Sequence, residues 1–270
     1  MKTMQPELKA FISGTVGVTA TLLAILFAIY GAGTADVLAQ LASMSSLLLT
    51  GVNGYASLGG GFSANILISL IAMAISILAG AALGACLIAQ NPFLRNVFRF
   101  IMNFFRNSPW LVILYAMLYL IPYEMTVFGY AISLSPAVKA IIGLSLPITA
   151  NVAEVFRGGV ESIPSGQWEA SRALGYNRRQ TLYQVILPQA LPLMLPNMMT
   201  VYASLFIGTS LIVVTGTNDI LSMARVIIAS GNEHYATAIY IFILFAFFIY
   251  AFPIAMTTRW LERRLRSVSR

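Results

Sequence analysis

Two groups of polar residues interrupt an otherwise apolar chain, and each has the makings of a site. Glu154 follows Asn151 by three residues and precedes Arg157 by three. A carboxylate so placed has two uses: an ion pair with Arg157 one helical turn away, or a seat for an ammonium group in a pathway. Asn151 shares part of that helix face, and Pro147 frees a carbonyl from the helix ladder. Earlier in the chain, Arg106-Asn107-Ser108-Pro109-Trp110 lies inside an apolar stretch. Ser108 as N-cap and Pro109 at the first helical position would restart a helix there. The backbone N–H groups of Trp110 and Leu111 would then face a cavity, as half-helix starts that receive a substrate carboxylate do. Arg106 is either a second handle for that carboxylate or an anchor at the positive side of a membrane. A carboxylate receptor and an ammonium receptor together suit a zwitterion.

The second group is the longest polar segment, residues 157–188. It reads as two short helices. Ser165 is the expected N-cap of a helix over 167–174, which Gly175 ends in the left-handed conformation. A second helix over 177–187 reaches Pro188. Trp168, Ser171 and Arg172 come together at spacings of three and four, with Ala170 and Ala173 leaving a shallow surface beside them. Such a helix fits a groove on another protein; alone, it would equally be a capped, solvated loop.

Catalysis finds little foothold. One Cys86 and one His234 give neither a disulfide framework nor a clustered metal site. An intramembrane enzyme needs paired catalytic groups at depth, and none is evident. No Gly-x4-Gly-Lys-Ser/Thr sequence occurs, so the chain has no phosphate-binding loop of its own for ATP. Nucleic acid is not an expected partner. Glu124, Asp219, Glu233 and Asp36 give the expected outer face a modest negative balance, suited to a soluble receptor or simply solvated.

Of the 270 residues, 59% are hydrophobic and 9% charged, with a net charge of +7. Soluble domains carry about 25% charged residues, so the solvent of this chain is lipid. A membrane helix needs about 20 apolar residues. Spans are expected over 11–30, 64–89, 97–122, 137–156, 192–214 and 236–257, the third broken at Asn107-Ser108-Pro109. The run 37–50 is short for a span and is expected to lie at the interface or re-enter. Six spans place Lys2, Lys9, Arg95, Arg99, Arg106, Arg157, Arg172, Arg178, Arg179 and the basic tail on one side and only Lys139 and Arg225 on the other, as the positive-inside rule requires. Both ends should then be cytoplasmic. The first span is longer than a cleaved signal core. Ser76, Gly80 and Gly84 recur every four residues, and close packing within the chain is preferred to a dimer seam.

Glu169-Ala170-Ser171, three residues, Gly175, nine residues, then Val185-Ile186-Leu187-Pro188 resembles the EAA loop of ABC importer permeases, with Ser171 and Val185 as departures. The stretches from Arg106, from Ala153 to Val160, from Ile163 to Ala170 and from Trp260 to Arg264 are similar to the polar amino acid uptake subfamily, the histidine, glutamine and arginine importer type. That subfamily has Arg-Gly-Thr-Pro where Arg106-Asn107-Ser108-Pro109 stand here, and often Lys-Asp where Ile207-Gly208 precede Thr209-Ser210. The resemblance implies an all-α transmembrane fold with a five-helix type I permease core over 63–264, a coupling loop over 158–188, an added N-terminal span and linker over 1–62 and a cytoplasmic tail over 265–270. It implies a bacterial inner-membrane importer subunit without catalytic residues. Two partner ATPases would bind ATP and Mg and push Trp168, Glu169, Ala170, Ser171, Arg172 and Gly175. Glu169 would pair with an ATPase arginine or else serve its own helix dipole. An identical or homologous permease and a periplasmic solute-binding protein complete the expected assembly. The alternative is a self-sufficient secondary transporter.

Overall fold

The protein is described here by a computed structural model covering residues 5–52, 59–127 and 130–268. Lys2, linker residues 53–58 and the last two residues of the expected tail lie outside the described residues. The elements in order are α1 (Gln5–Tyr30), α2 (Thr34–Thr50), α3 (Gly61–Leu87), α4 (Pro92–Asn107), α5 (Trp110–Leu120), β1 (Glu124–Val127) and β2 (Tyr130–Ser133). There follow α6 (Pro136–Glu161), α7 (Ser165–Ala173), α8 (Arg178–Gln180), α9 (Leu187–Gly208), α10 (Ile220–Ala229) and α11 (Ala236–Val268). Helical runs over 9–50, 61–87, 136–161, 178–215 and 233–265 are long and apolar enough to cross a bilayer. The small antiparallel hairpin, pairing Glu124 with Ser133 and Val127 with Tyr130, is an addition to the all-helical expectation.

The bundle is organised around α6, which packs against α3, α4, α5 and α9. Its seam with α3 is made by small residues. A Cβ on Gly80 would lie 2.5 Å from Val152 Cγ1, and one on Gly84 would lie 2.7 Å from the Phe156 ring. Ser76 donates across the seam to the Ser145 carbonyl at 3.2 Å. The spacing of four thus serves packing inside the chain, because missing side chains let two backbones approach in lipid, where dispersion replaces the hydrophobic drive. Ile68, Ala72, Leu114, Leu144, Ile148 and Leu205 fill the adjoining core.

The third expected span is two pieces. In α4 the arginines Arg95, Arg99 and Arg106 recur along the helix, while Phe93, Phe100 and Phe104 stand exposed. In α5 there are 11 residues, about 16 Å of helix and roughly half of a hydrocarbon core. A buried lysine secures the free end of α5: Lys139 Nζ donates to the carbonyls of Ile121 at 2.6 Å and Leu118 at 3.4 Å and lies 3.5 Å from the centre of the Tyr123 ring. An ammonium beside the carbonyl end of a helix meets its negative pole, so this charge is held by α5 and is not a loop cation.

The helix that opens the N-terminal region turns at Gly31, where φ is +55°. The expected 37–50 segment is a helix over 34–50. Val37, Leu41, Met44 and Leu48 form its buried stripe against α10 and the start of α11. Where α2 ends, α3 begins and α10 is capped, a polar knot forms. Asn65 donates to the Thr209 carbonyl and accepts from the Ile220 N–H, both at 3.2 Å. Asp219 caps α10 through Ser222. Burial pushes the Asp219 carboxyl above its ordinary value, against hydrogen bonds from Ser222, Leu221 and Asn65. Asp219 is therefore a buried cap and not a solvated charge of the outer face.

The expected fifth span and the second loop helix merge into one helical run from Arg178 to Thr215. Pro188, Pro192 and Pro196 would each break a soluble helix. Here a π-helical stretch, Thr181–Ile186, comes first, so Pro188 falls in the first turn of α9, where a missing N–H costs nothing. Gln189 Nε2 donates to the Val185 carbonyl at 2.8 Å and Thr200 Oγ1 to that of Pro196 at 3.1 Å; the carbonyls that lose their helix donors to the three prolines are those of Gln184, Pro188 and Pro192.

Candidate functional site

The loop between α6 and α9 is built as a rigid lever. The helix α7 begins at Ser165 itself, capped by no side chain, with Gln167 N–H donating to the Pro164 carbonyl at 3.0 Å. Pro164 and not Ser165 is the N-cap residue, because Pro164 holds the extended backbone that turns the chain into the helix. At the other end Gly175 has φ +83°. Its N–H donates to the Arg172 carbonyl at 2.9 Å, and that of Tyr176 to the Ser171 carbonyl at 3.1 Å, the paired bonds of a Schellman ending. Asn177 and Gln180 then form a reciprocal capping box that starts the run into α9.

Within α7 the side chains divide. Trp168 is half-buried against the cluster of Val160, Ile163, Ile186, Ala190 and Met194, which joins the ends of α6 and α9. Ser171 is buried and turns its hydroxyl back to the Gln167 carbonyl at 2.7 Å, so a side chain larger than serine or alanine has no room there. Glu169, Ala170, Arg172 and Gly175 are exposed. Arg178 clasps the base, donating to the Ile88 carbonyl at 2.8 Å and lying 5.6 Å from the Trp168 ring. Leu174, Tyr176 and Tyr183 also stand exposed at this end of the molecule. Sequence reasoning passed over these three; their signal was an apolar side chain in a polar segment.

The residues expected to hold a ligand are only partly brought together. Glu154 receives two hydrogen bonds from Arg157, at 2.8 and 2.9 Å, and Arg106 Nη1 approaches it to 3.4 Å. Arg157 also pairs with Glu161. The resulting network, Arg106–Glu154–Arg157–Glu161, ties the end of α4 to α6 and leaves 42% of the Arg106 side chain exposed. Asn151 Nδ2 donates to the carbonyl of Pro147 itself at 2.8 Å; the carbonyl that loses its helix donor to Pro147 is that of Gly143.

Ser108 is not the N-cap of α5. Its hydroxyl donates backwards to the Phe104 carbonyl at 2.6 Å, and Pro109 occupies the cap position without a side-chain bond. The helix restart survives, because Pro109 and its carbonyl, which accepts from Val112 at 3.0 Å, set it. Trp110 is half-buried with its ring over Gly208, where a Cβ would sit 2.2 Å from Cζ3. The glycine at 208 is thus required by the tryptophan.

Helices of membrane-crossing length around a glycine seam, with a braced loop at one end, define a helical membrane protein. Residues 76–267 match the family described as binding-protein-dependent transport system inner membrane component, and the chain belongs to that family. It is 30% identical over 211 residues to the inner membrane amino-acid ABC transporter permease protein YhdY of Escherichia coli, covering 77% of this chain and 56% of that protein. It is 33% identical to the L-cystine transport system permease protein TcyB of Bacillus subtilis, covering 64% of this chain and 70% of that one. Among solved structures, an amino acid ABC transporter crystallised with histidines shares the fold at a TM-score of 0.66 and 24% identity, over 76% of this chain and 92% of that one. The MetNI methionine transporter in an inward-facing form follows at 0.59 and 20%, over 77% and 94%.

Proposed function

We propose that this chain is the permease subunit of an ATP-driven importer of polar amino acids or related small zwitterions, worked through residues 158–188. The observation that carries the reading is the division of α7: Trp168 and Ser171 root it in the ends of α6 and α9, while Glu169, Ala170, Arg172 and Leu174 face outward. A push on the outer face is passed to two core helices through a packed, apolar contact. The pushing element is an ATPase subunit that binds ATP and Mg. The lever and both chain ends face the cytoplasm in this reading, which the distribution of basic residues supports, and a solute-binding protein delivers the ligand from the opposite side. A second permease, identical or homologous, completes the pathway. The relatives named for amino acids and cystine support the substrate class.

For the ligand, Arg106 is the proposed carboxylate partner and Glu154 the ammonium partner, with Ser108 and Trp110 at the break between α4 and α5 and Asn151 three residues before Glu154 on α6. The zwitterion would enter between Arg106 and Glu154 and replace their mutual contact. The test is uptake of labelled amino acids into vesicles holding this chain, its ATPase and its binding protein. ATP-dependent uptake is expected, and Glu154→Gln should raise the half-saturating solute concentration at least tenfold while the assembly survives. Accumulation by vesicles lacking the ATPase overturns the reading in favour of a secondary transporter.

A further inference from the structure

Arg95 and Arg99 on α4 serve neither the lever nor the proposed ligand residues. Between the end of α3, the arginine face of α4 and the base of α7 lies a cleft of about 410 Å³, lined among others by Arg95, Arg99, Glu161, Ser165, Trp168 and Arg178. Glu161 is already paired with Arg157. Among the described residues no carboxylate pairs with Arg95, Arg99 or Arg178, and the Arg95 Nε is buried without a hydrogen-bond partner. A buried guanidinium donor left open costs about 1–3 kcal/mol unless something accepts from it. Three cations and an unmet donor around one cleft call for an anion with several oxygens, and guanidinium forks match phosphate.

The surroundings of the cleft choose the source of that phosphate. On the same helix, Phe93, Phe100 and Phe104 are 76%, 72% and 59% exposed, so α4 carries arginines on one face and bare phenylalanines on another. This is the pattern of a helix lying at the level of lipid headgroups. We infer that the cleft between α4 and the base of α7 binds the phosphate of an anionic phospholipid from the cytoplasmic leaflet, whose acyl chains run along the phenylalanines. The side of the membrane rests on the importer reading above; the anion chemistry does not. A headgroup seated there touches Arg178 and Trp168, so leaflet composition bears on the stiffness of the lever.

The whole importer, purified with its ATPase, is examined by native mass spectrometry with phosphatidylglycerol, phosphatidylethanolamine or inorganic phosphate added. Retention of phosphatidylglycerol over phosphatidylethanolamine is expected, weakened about 25-fold in Arg95→Gln/Arg99→Gln, each arginine near an anionic surface contributing about fivefold. Arg99→Lys, which keeps the charge of the more exposed residue, should hold most of the binding and checks that the fold is intact. Displacement of the lipid by millimolar inorganic phosphate would keep the anion site and give it a soluble source. Equal retention of phosphatidylglycerol by the wild type and the double variant overturns the proposal. Failure of the importer reading shows itself separately, as a wild-type chain that copurifies no ATPase.

Discussion

Glycine is used in opposite ways at the α3–α6 seam and at the end of α7. Gly80 and Gly84 adopt ordinary helical backbone, and what forbids a side chain there is the neighbour: Val152 at 2.5 Å and Phe156 at 2.7 Å from the missing Cβ. Gly175 has nothing within 4 Å of its missing Cβ, and what forbids a side chain is its own φ of +83°. The seam is therefore specified by contact and the lever by conformation. A contact defect is felt by the whole bundle, because close-packed interiors transmit strain. A conformational defect in an exposed turn is felt only where the turn meets a partner.

The strongest way to break this contrast is Gly80→Val. Its branched side chain must enter space held by Val152 and the Thr149 carbonyl, and overpacking of this kind costs about 3 kcal/mol or more when helices cannot separate. A sharply lowered unfolding midpoint in detergent is expected; a midpoint like that of the wild type would show that the seam yields. Lys139→Met comes next. It preserves bulk but withdraws the donor from the Leu118 and Ile121 carbonyls, a loss of about 2 kcal/mol for charge-assisted bonds at a buried helix end. Thermal unfolding of the purified chain measures it, and an unchanged midpoint would mean that α5 does not depend on this cap.

How much of this contrast the sequence declares follows from the same distinction. Features set by short-range chemistry are legible: the apolar runs of α3, α6 and α11, the stop at Gly175, the break at Ser108-Pro109, and the four-residue spacing of Ser76, Gly80 and Gly84. Features set by distant contacts are not. Nothing near Lys139 in the sequence announces that its ammonium reaches 18 residues back to the Ile121 carbonyl. Pro188 reads as the end of the second loop helix, and nothing near it in the sequence announces the π-turn over Thr181–Ile186 that carries the helix past it. Ser165 and Ser108 misled for one reason: serine is the commonest cap type, but in each case the neighbouring proline already fixed the backbone turn. Of the ligand residues, the pairing of Glu154 with Arg157 was visible in their spacing, whereas the approach of Arg106 depended on how α4 folds against α6.

A smaller effect, and one that depends on pH, sharpens the interior side. Burial raises the Asp219 carboxyl above the ordinary aspartate value. The folded chain then holds more protons than the unfolded chain at any pH between the ordinary aspartate value and the raised one. Stability falls as pH rises through that window and stays reduced above it. Asp219→Asn keeps a good capping side chain for the Ser222 N–H and removes the ionisation. Unfolding midpoints measured from pH 4 to pH 8 should decline more steeply for the wild type than for the variant; parallel curves would mean that Asp219 is not desolvated in solution.

The least effect on stability, and the most informative about function, is expected at Gly175. An alanine there meets no neighbour, so the bundle should unfold at the wild-type midpoint. The left-handed backbone itself costs a residue with a Cβ about 1–2 kcal/mol, which lowers the population of the Schellman turn against its alternatives by roughly 5–30-fold. Copurification of the ATPase should fall accordingly for Gly175→Ala and recover in part for Gly175→Asn, since asparagine tolerates this conformation. A space-filling explanation predicts the reverse order, because asparagine is the larger side chain. If alanine and asparagine bind the ATPase equally well, the turn is not what positions the outer face of α7, and the division between a seam made by contact and a lever made by conformation fails at its second half.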